Sequence, residues 1–382
     1  MMNNRRISFY FVIVASFALC TTCFLEGDID EFLAKAGKEY IGNSFIVTFN
    51  KNGGDTEANP QTKTVTLPAT TIDTLPIPPT MTGYVFNGWN TLANGSGDVF
   101  TATTTVKTNI TVYAQWWSIQ PVTIEMVWIP AGTFEMGSPA TEPGRNDDET
   151  QHWVTLSHGF YMGKYQVTQE QYHVVMGNNP SYFRGDNRPV EGIRWYEAIV
   201  FCNRLSMAEG LSPAYKISGS TDPTYWGTVP ITSNEIWNAV TIVPDSTGYR
   251  LPTEAQWEYA CRAGTTTAYN TGTYMNTDTG WYNLNSNDMT HEVGLKLPNA
   301  WGLYDMHGNV WEWCWDWYGT YMSGTQINPM GASSGTARVF RGGSWRDTIL
   351  YVRSASRDRW TPNSRSGEYQ AVGFRLSRPI AE

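Results

Sequence analysis

Asp305 and Glu312 bracket the turn Gly308-Asn309 and carry the clearest chemistry in this chain. The backbone carbonyls of Gly308 and Val310 add neutral oxygen between the two carboxylates. A hard cation, calcium above all, prefers such an oxygen set. A hydrogen-bonded turn without metal is the competing reading. Histidine chemistry has little support, because His152, His158, His173, His291 and His307 form no His-x-x-x-His or His-x-Glu pair. A lone histidine such as His307 is read as structural. Cys202, Cys261 and Cys314 stand far apart among apolar and aromatic neighbours, with no CxxC spacing. They read as buried thiols rather than as a disulfide framework or a zinc site.

The elements around Glu312 follow from pattern. From Trp311 to Trp317 the chain alternates strictly, which predicts a strand with Trp311, Trp313, Trp315 and Trp317 on one face. Glu312, Cys314 and Asp316 share the other face. Thr168 with Gln171 and Thr253 with Gln256 are capping boxes, each starting a helix. A further helix is expected from Trp195, with Ala198, Cys202 and Leu205 on one face and Gly210 as its stop. The remainder reads as loop and short strand, and 17 Trp with 35 Gly fit an aromatic-packed, loop-rich domain.

The N-terminal third differs. Arg5 and Arg6 precede a short apolar run, so residues 1–23 read as a secretory signal. Cys20 and Cys23 at its end are the expected lipidation sites. Residues 24–43 read as a spacer with a short helix over 29–38. Residues 44–117 alternate in strand fashion between turn clusters, and residues 118–124 link them to a second domain at 125–382. The net charge of −9 over 382 residues repels phosphate backbones and argues against nucleic acid as a partner. Membrane contact is expected only through the N-terminal segment.

Two resemblances follow from motifs. The opening Val47-Thr48-Phe49-Asn50, the central Gly83-Tyr84-Val85-Phe86-Asn87-Gly88-Trp89 and the closing Val112-Tyr113-Ala114-Gln115-Trp116 resemble an internalin-type B repeat, a small β-grasp module of bacterial surface proteins. The segment Gly302-Leu303-Tyr304-Asp305-Met306-His307-Gly308-Asn309-Val310-Trp311-Glu312-Trp313 resembles the hallmark of the formylglycine-generating enzyme, or sulfatase-modifying factor, family. Arg250-Leu251-Pro252-Thr253-Glu254-Ala255-Gln256-Trp257-Glu258 and Arg341-Gly342-Gly343-Ser344-Trp345 are similar to further family blocks. The resemblance implies an α+β, C-type-lectin-like fold with low regular secondary structure and structural calcium. By position it assigns Asp305, Gly308, Val310 and Glu312 to one calcium site. Asn283 and Leu284 begin a second, whose other ligands fall where this chain is short.

The oxidase members bind copper(I) through two cysteines after Gly-Gly-Ser. Here Asp347 takes the first position, and no cysteine follows Cys314. A carboxylate is a hard ligand and does not replace a thiolate for copper(I). Ser354 stands where some members carry a structural cysteine, which would leave Cys261 unpaired. Other members bind ligands through the loop after Arg-Gly-Gly-Ser-Trp. In this chain that loop offers Trp345, Tyr351, Arg353, Ser356, Asp358, Arg359, Trp360, Asn363 and Tyr369, a mixture of aromatic anchors and polar groups. The leading expectation is therefore an exported surface protein that binds a protein or glycan. An oxidase or related metal enzyme, with Ser344, Asp347, Arg353 and Arg357 as its catalytic candidates, is the second. A purely structural adhesive module is the third.

Overall fold

The structure, a computed structural model, describes residues 44–118, 122–365 and 371–380. The expected signal segment, Cys20, Cys23, the helix over 29–38 and Tyr369 lie outside the described residues. In the N-terminal region, β1 (Ser44–Asn50), β2 (Thr62–Thr66), β3 (Tyr84–Asn90), β4 (Val99–Phe100) and β5 (Ile110–Ser118) form one mixed sheet in the order β2-β1-β5-β3-β4. Strands β1 and β5 run parallel, with Phe49 opposite Val112. Alternation puts Val47 and Phe49 inside, and the Phe49 ring meets Trp89 edge-on at 4.9 Å. The turn after β1 needs left-handed backbone at Asn52 and Gly53, and the Asn50 carboxamide oxygen accepts from Asn52 N at 2.8 Å.

The second domain opens with β6 (Met126–Ile129) and β7 (Gly132–Met136), followed by β8 (His152–Leu156) and β9 (Phe160–Gly163). Its last strand, β17 (Ser377–Pro379), pairs with β9 beside β6, so the two ends of the domain close on one sheet. Among the described residues four α-helices follow β9: α1 (Gln169–Met176), α2 (Trp195–Ala208), the single turn α3 (Glu235–Asn238) and α4 (Glu254–Arg262). Both capping boxes are formed, at Thr168 for α1 and at Thr253 for α4. Short pairs β10 (Tyr215–Lys216) with β11 (Thr241–Ile242), and β13 (Gln326–Ile327) on β8, fill the long connections.

The central sheet holds β12 (Trp311–Trp317), β14 (Arg338–Arg341), β15 (Arg357–Trp360) and β16 (Val372–Gly373) in the order β15-β14-β12-β16. Strand β12 separates two cores. Trp311 and Trp313 belong to the cluster built on α1 and α2, and Trp315 packs against that cluster. Cys314 belongs to the cluster of α4 and β6 to β9. Both faces of β12 are therefore buried, and the carboxylates of Glu312 and Asp316 are held inside the protein.

Candidate functional site

Glu312 lies at the centre of the domain with no exposure. Arg375 donates to both of its oxygens, at 2.6 and 2.8 Å, and Trp257 Nε1 adds a bond of 2.6 Å. The turn beside it requires glycine at Gly308. Its φ is +109°, and a Cβ there would stand 2.0 Å from the Trp281 carbonyl oxygen. Four oxygens converge here on one side chain that sequence reasoning had left without a role. Gln166 Nε2 lies 3.3 Å from Asp305 O, 3.2 Å from Gly308 O, 3.0 Å from Val310 O and 2.9 Å from Glu312 Oε1.

Two amide protons cannot satisfy four acceptors. Two further buried oxygens, Gln166 Oε1 and Asp305 Oδ1, have no hydrogen-bond partner. Acceptors thus outnumber donors, and burial lifts the Asp305 carboxyl to about 6. An oxygen-rich, donor-poor cage of this kind fits a hard cation. Turning the Gln166 amide end for end would add a fifth oxygen. Asn283 and Leu284 are both exposed, and Asn283 N donates to Asp347 O at 3.0 Å. No group of three or more His, Cys, Asp or Glu among the described residues is arranged around a metal position.

Asp347 sits at the turn after the Gly-Gly-Ser motif. Its Oδ2 accepts from Ser344 N at 3.0 Å, from the Ser344 hydroxyl and from Trp311 Nε1 at 2.8 Å. Burial raises its pKa, while those bonds from Ser344 and Trp311 pull it down. The pair closes a turn and offers oxygen only. The three described cysteines are free and buried. Cys261 Sγ lies 3.6 Å from Ser354 Oγ, the two groups that the resemblance paired by position. Burial pushes the Cys261 thiol up to about 12, so it stays protonated. His307 is internal: its Nδ1 faces Val352 O at 2.7 Å and its Nε2 accepts from Asn270 N at 3.1 Å.

The arginines expected in the cleft point inward instead. Arg353 donates to Glu149 Oε1 and Oε2 at 2.7 and 2.8 Å, to Glu142 at 2.6 Å and to the carbonyls of Gly144 and Leu350. Arg357 pairs with both oxygens of Glu254, at 2.8 and 2.7 Å. Arg341, paired with Glu258, donates to the carbonyls of Ser354, Ala355 and Ser356. Buried guanidinium groups paired with carboxylates and carbonyls in this way hold a loop rather than face a ligand, although Arg341 Nε keeps no partner. Trp345 and Ser356 are also buried, the Trp345 ring meeting Phe183 edge-on at 5.2 Å.

The rest of the loop faces outward. Tyr351, Asp358, Arg359 and Trp360 are exposed, the last three on the edge strand β15. Arg359 stacks over the Tyr318 ring at 4.0 Å, and Trp360 leans on Phe340 with centroids 5.8 Å apart. These exposed side chains include two aromatic rings and both signs of charge. The seven members of the expected ligand set other than Tyr369 and Asn363 thus divide into an exposed group and a buried one, since Trp345, Arg353 and Ser356 lie inside.

Residues 117–380 match the sulfatase-modifying factor enzyme 1-like domain, and residues 45–115 match the Listeria-Bacteroides repeat domain. Chaperone protein LppX of Paenibacillus barcinonensis is 36% identical over 250 residues, 60% of this chain and 81% of that protein. The formylglycine-generating enzyme of Mus musculus is 29% identical over 283 residues, 66% of this chain and 74% of its own. Among solved structures, Treponema denticola variable protein 1 superposes with a TM-score of 0.62 at 35% identity, covering 69% of this chain and 98% of that one. With an α+β domain built around the Gly-Asn-Val-Trp-Glu-Trp strand and a repeat domain ahead of it, the chain belongs to the sulfatase-modifying factor family.

Proposed function

We propose that this chain is an exported envelope protein that binds a protein or glycan at the cell surface through Tyr351, Asp358, Arg359 and Trp360, without copper oxidase chemistry. One observation carries the reading. Arg341 donates to loop carbonyls, and Arg353 and Arg357 tie the loop to Glu149 and Glu254, while those four side chains are exposed. A preorganised strip of aromatic and polar groups binds with little ordering cost. The basic N-terminus followed by an apolar run supports export. The oxygen donors of Ser344 and Asp347 support the absence of copper(I), which selects sulfur. The oxygen cage around Gln166 supports a structural calcium held by Asp305, Gly308, Val310, Glu312 and Gln166. Its part there is to balance buried negative charge.

The test is an array of glycans and extracellular proteins probed with the intact protein, followed by Trp360→Ala and Arg359→Ala. A saturable ligand lost in both variants is expected. Binding that survives both variants overturns the assigned strip, and no ligand at all returns the molecule to a structural module. A sulfatase-motif peptide incubated with copper should show no conversion of cysteine to formylglycine. Turnover there overturns the non-oxidase reading.

A further inference from the structure

A cavity of about 540 Å³ lies elsewhere in the family domain, lined by the β8–β9 turn, the segment after β13, the approach to α4 and the end of β17. It shares no residue with the exposed strip. Leu156, Phe160, Ile242, Leu251 and Met330 give it apolar walls. Three of its polar side chains, Arg250, Ser246 and Gln256, hold donors without a partner among the described residues. The Arg250 guanidinium, half-buried, has no hydrogen bond, ion pair or ring contact with the described residues, although Arg353, Arg357 and Arg375 are each matched to a carboxylate. Ser246 is buried, and its hydroxyl has no partner. Gln256 accepts the Thr253 N–H through Oε1, leaving its Nε2 protons unassigned. Both capping residues of α4 line the cavity, while the first amide of that helix, Glu254 N, is already taken by Asp316 Oδ2 at 2.7 Å. The carboxylate in the lining, Asp245, is exposed.

An arginine taken partly out of water without a counter-charge is costly, and a ligand that supplies the charge recovers that cost. Guanidinium and hydroxyl together select an oxyanion. The walls select an apolar body. We infer that this cavity binds a small amphiphilic acid, its carboxylate or phosphate on Arg250 and Ser246 and its hydrocarbon part against Phe160, Ile242 and Met330.

Calorimetric titration of the full chain with octanoate, octyl phosphate, inorganic phosphate and octanamide tests this. Octanoate or octyl phosphate should bind, and octanamide at least about tenfold more weakly, the loss that goes with one charged hydrogen-bonding partner. Comparison of the two acids with phosphate alone tells a lipid-like source from a free anion: phosphate binding as tightly as octyl phosphate would remove the apolar half of the inference. Arg250→Gln should weaken octanoate by a similar factor. If that variant does not fold, Met330→Trp, which fills the cavity, and Ser246→Ala provide the second reading, and both should lower affinity. Equal binding of octanamide and octanoate, unchanged binding in Met330→Trp, or binding only after truncation at residue 380 each overturns the proposal. The last would mean that the chain's own end occupies the cavity.

Discussion

Arg353 shows how a residue with the look of a catalytic group becomes a structural one. Its guanidinium meets two carboxylates and two carbonyls, and its exposure is 1%. Removing one partner of such a pair leaves an uncompensated buried charge, here on Glu149, whose acidity the arginine maintains against burial. Arg353→Met should therefore destabilise the domain by about 3–5 kcal/mol, measured by denaturant unfolding. A loss below about 1 kcal/mol, the level of a surface pair, would refute the structural assignment. Asp316 makes the opposite case. Burial first, then the Glu254 charge, raises it from 3.8 to about 7, although it accepts from Glu254 N at 2.7 Å. A carboxyl whose folded pKa exceeds its unfolded one favours the native state at low pH, and that contribution is lost as pH rises from about 4 to 7. In Asp316→Asn the amide oxygen still accepts the bond and no charge forms. The stability of this variant relative to wild type should rise across that interval and level off above it. A difference that is flat with pH would show that Asp316 ionises normally.

At the scale of elements, local signals were legible and distant partners were not. The capping boxes at Thr168 and Thr253 are written within four residues, and both helices start there. Thr168→Ala should cost about 1 kcal/mol, read as a shift in the unfolding midpoint; no shift would mean that packing alone fixes α1. Alternation from Trp311 to Trp317 announced β12 correctly. It could not reveal that Glu312 faces Arg375 and Trp257, or that Cys314 enters a second core, because alternation reports sides and not what covers them. The carboxylate partners of Arg353 are separated from it by more than two hundred residues, so its loop position read as exposed chemistry. Gln166 was missed for a similar reason. Its one local signal was its place just ahead of a capping box, between residues that pack inward. On β15 no strand was expected, and loop composition alone pointed to Asp358, Arg359 and Trp360, which are exposed; Trp360→Ala should leave the unfolding free energy within about 0.5 kcal/mol of wild type. A larger loss would place Trp360 in the core rather than on the binding face.

Across the whole molecule, the Gln166 cage is where remote segments meet. Gln166 follows β9, Asp305 to Val310 form the central turn, Glu312 begins β12, Trp257 comes from α4 and Arg375 from the C-terminal stretch. Regular structure is sparse here, so stability must come from such junctions and from aromatic packing. Charge decides what the junction needs. Asp305 and Glu312 face one buried cation, Arg375, and several oxygens lack donors. A divalent cation bound only in the native state stabilises by about 2.7 kcal/mol at a hundredfold excess over its Kd. For a domain of this size that raises Tm by several degrees, at roughly 2–4 °C per kcal/mol. Melting of the intact protein should therefore move upward in calcium and downward in chelator, and Gln166→Leu, which removes the amide oxygen and two donors, should reduce the calcium-dependent shift. Identical melting in calcium and chelator would mean that the amide of Gln166 holds the cage alone, with Asp305 kept protonated by its surroundings. In that case Gln166→Leu should lower Tm by the same amount in both solutions, which tells a missing metal from a missing hydrogen-bond donor.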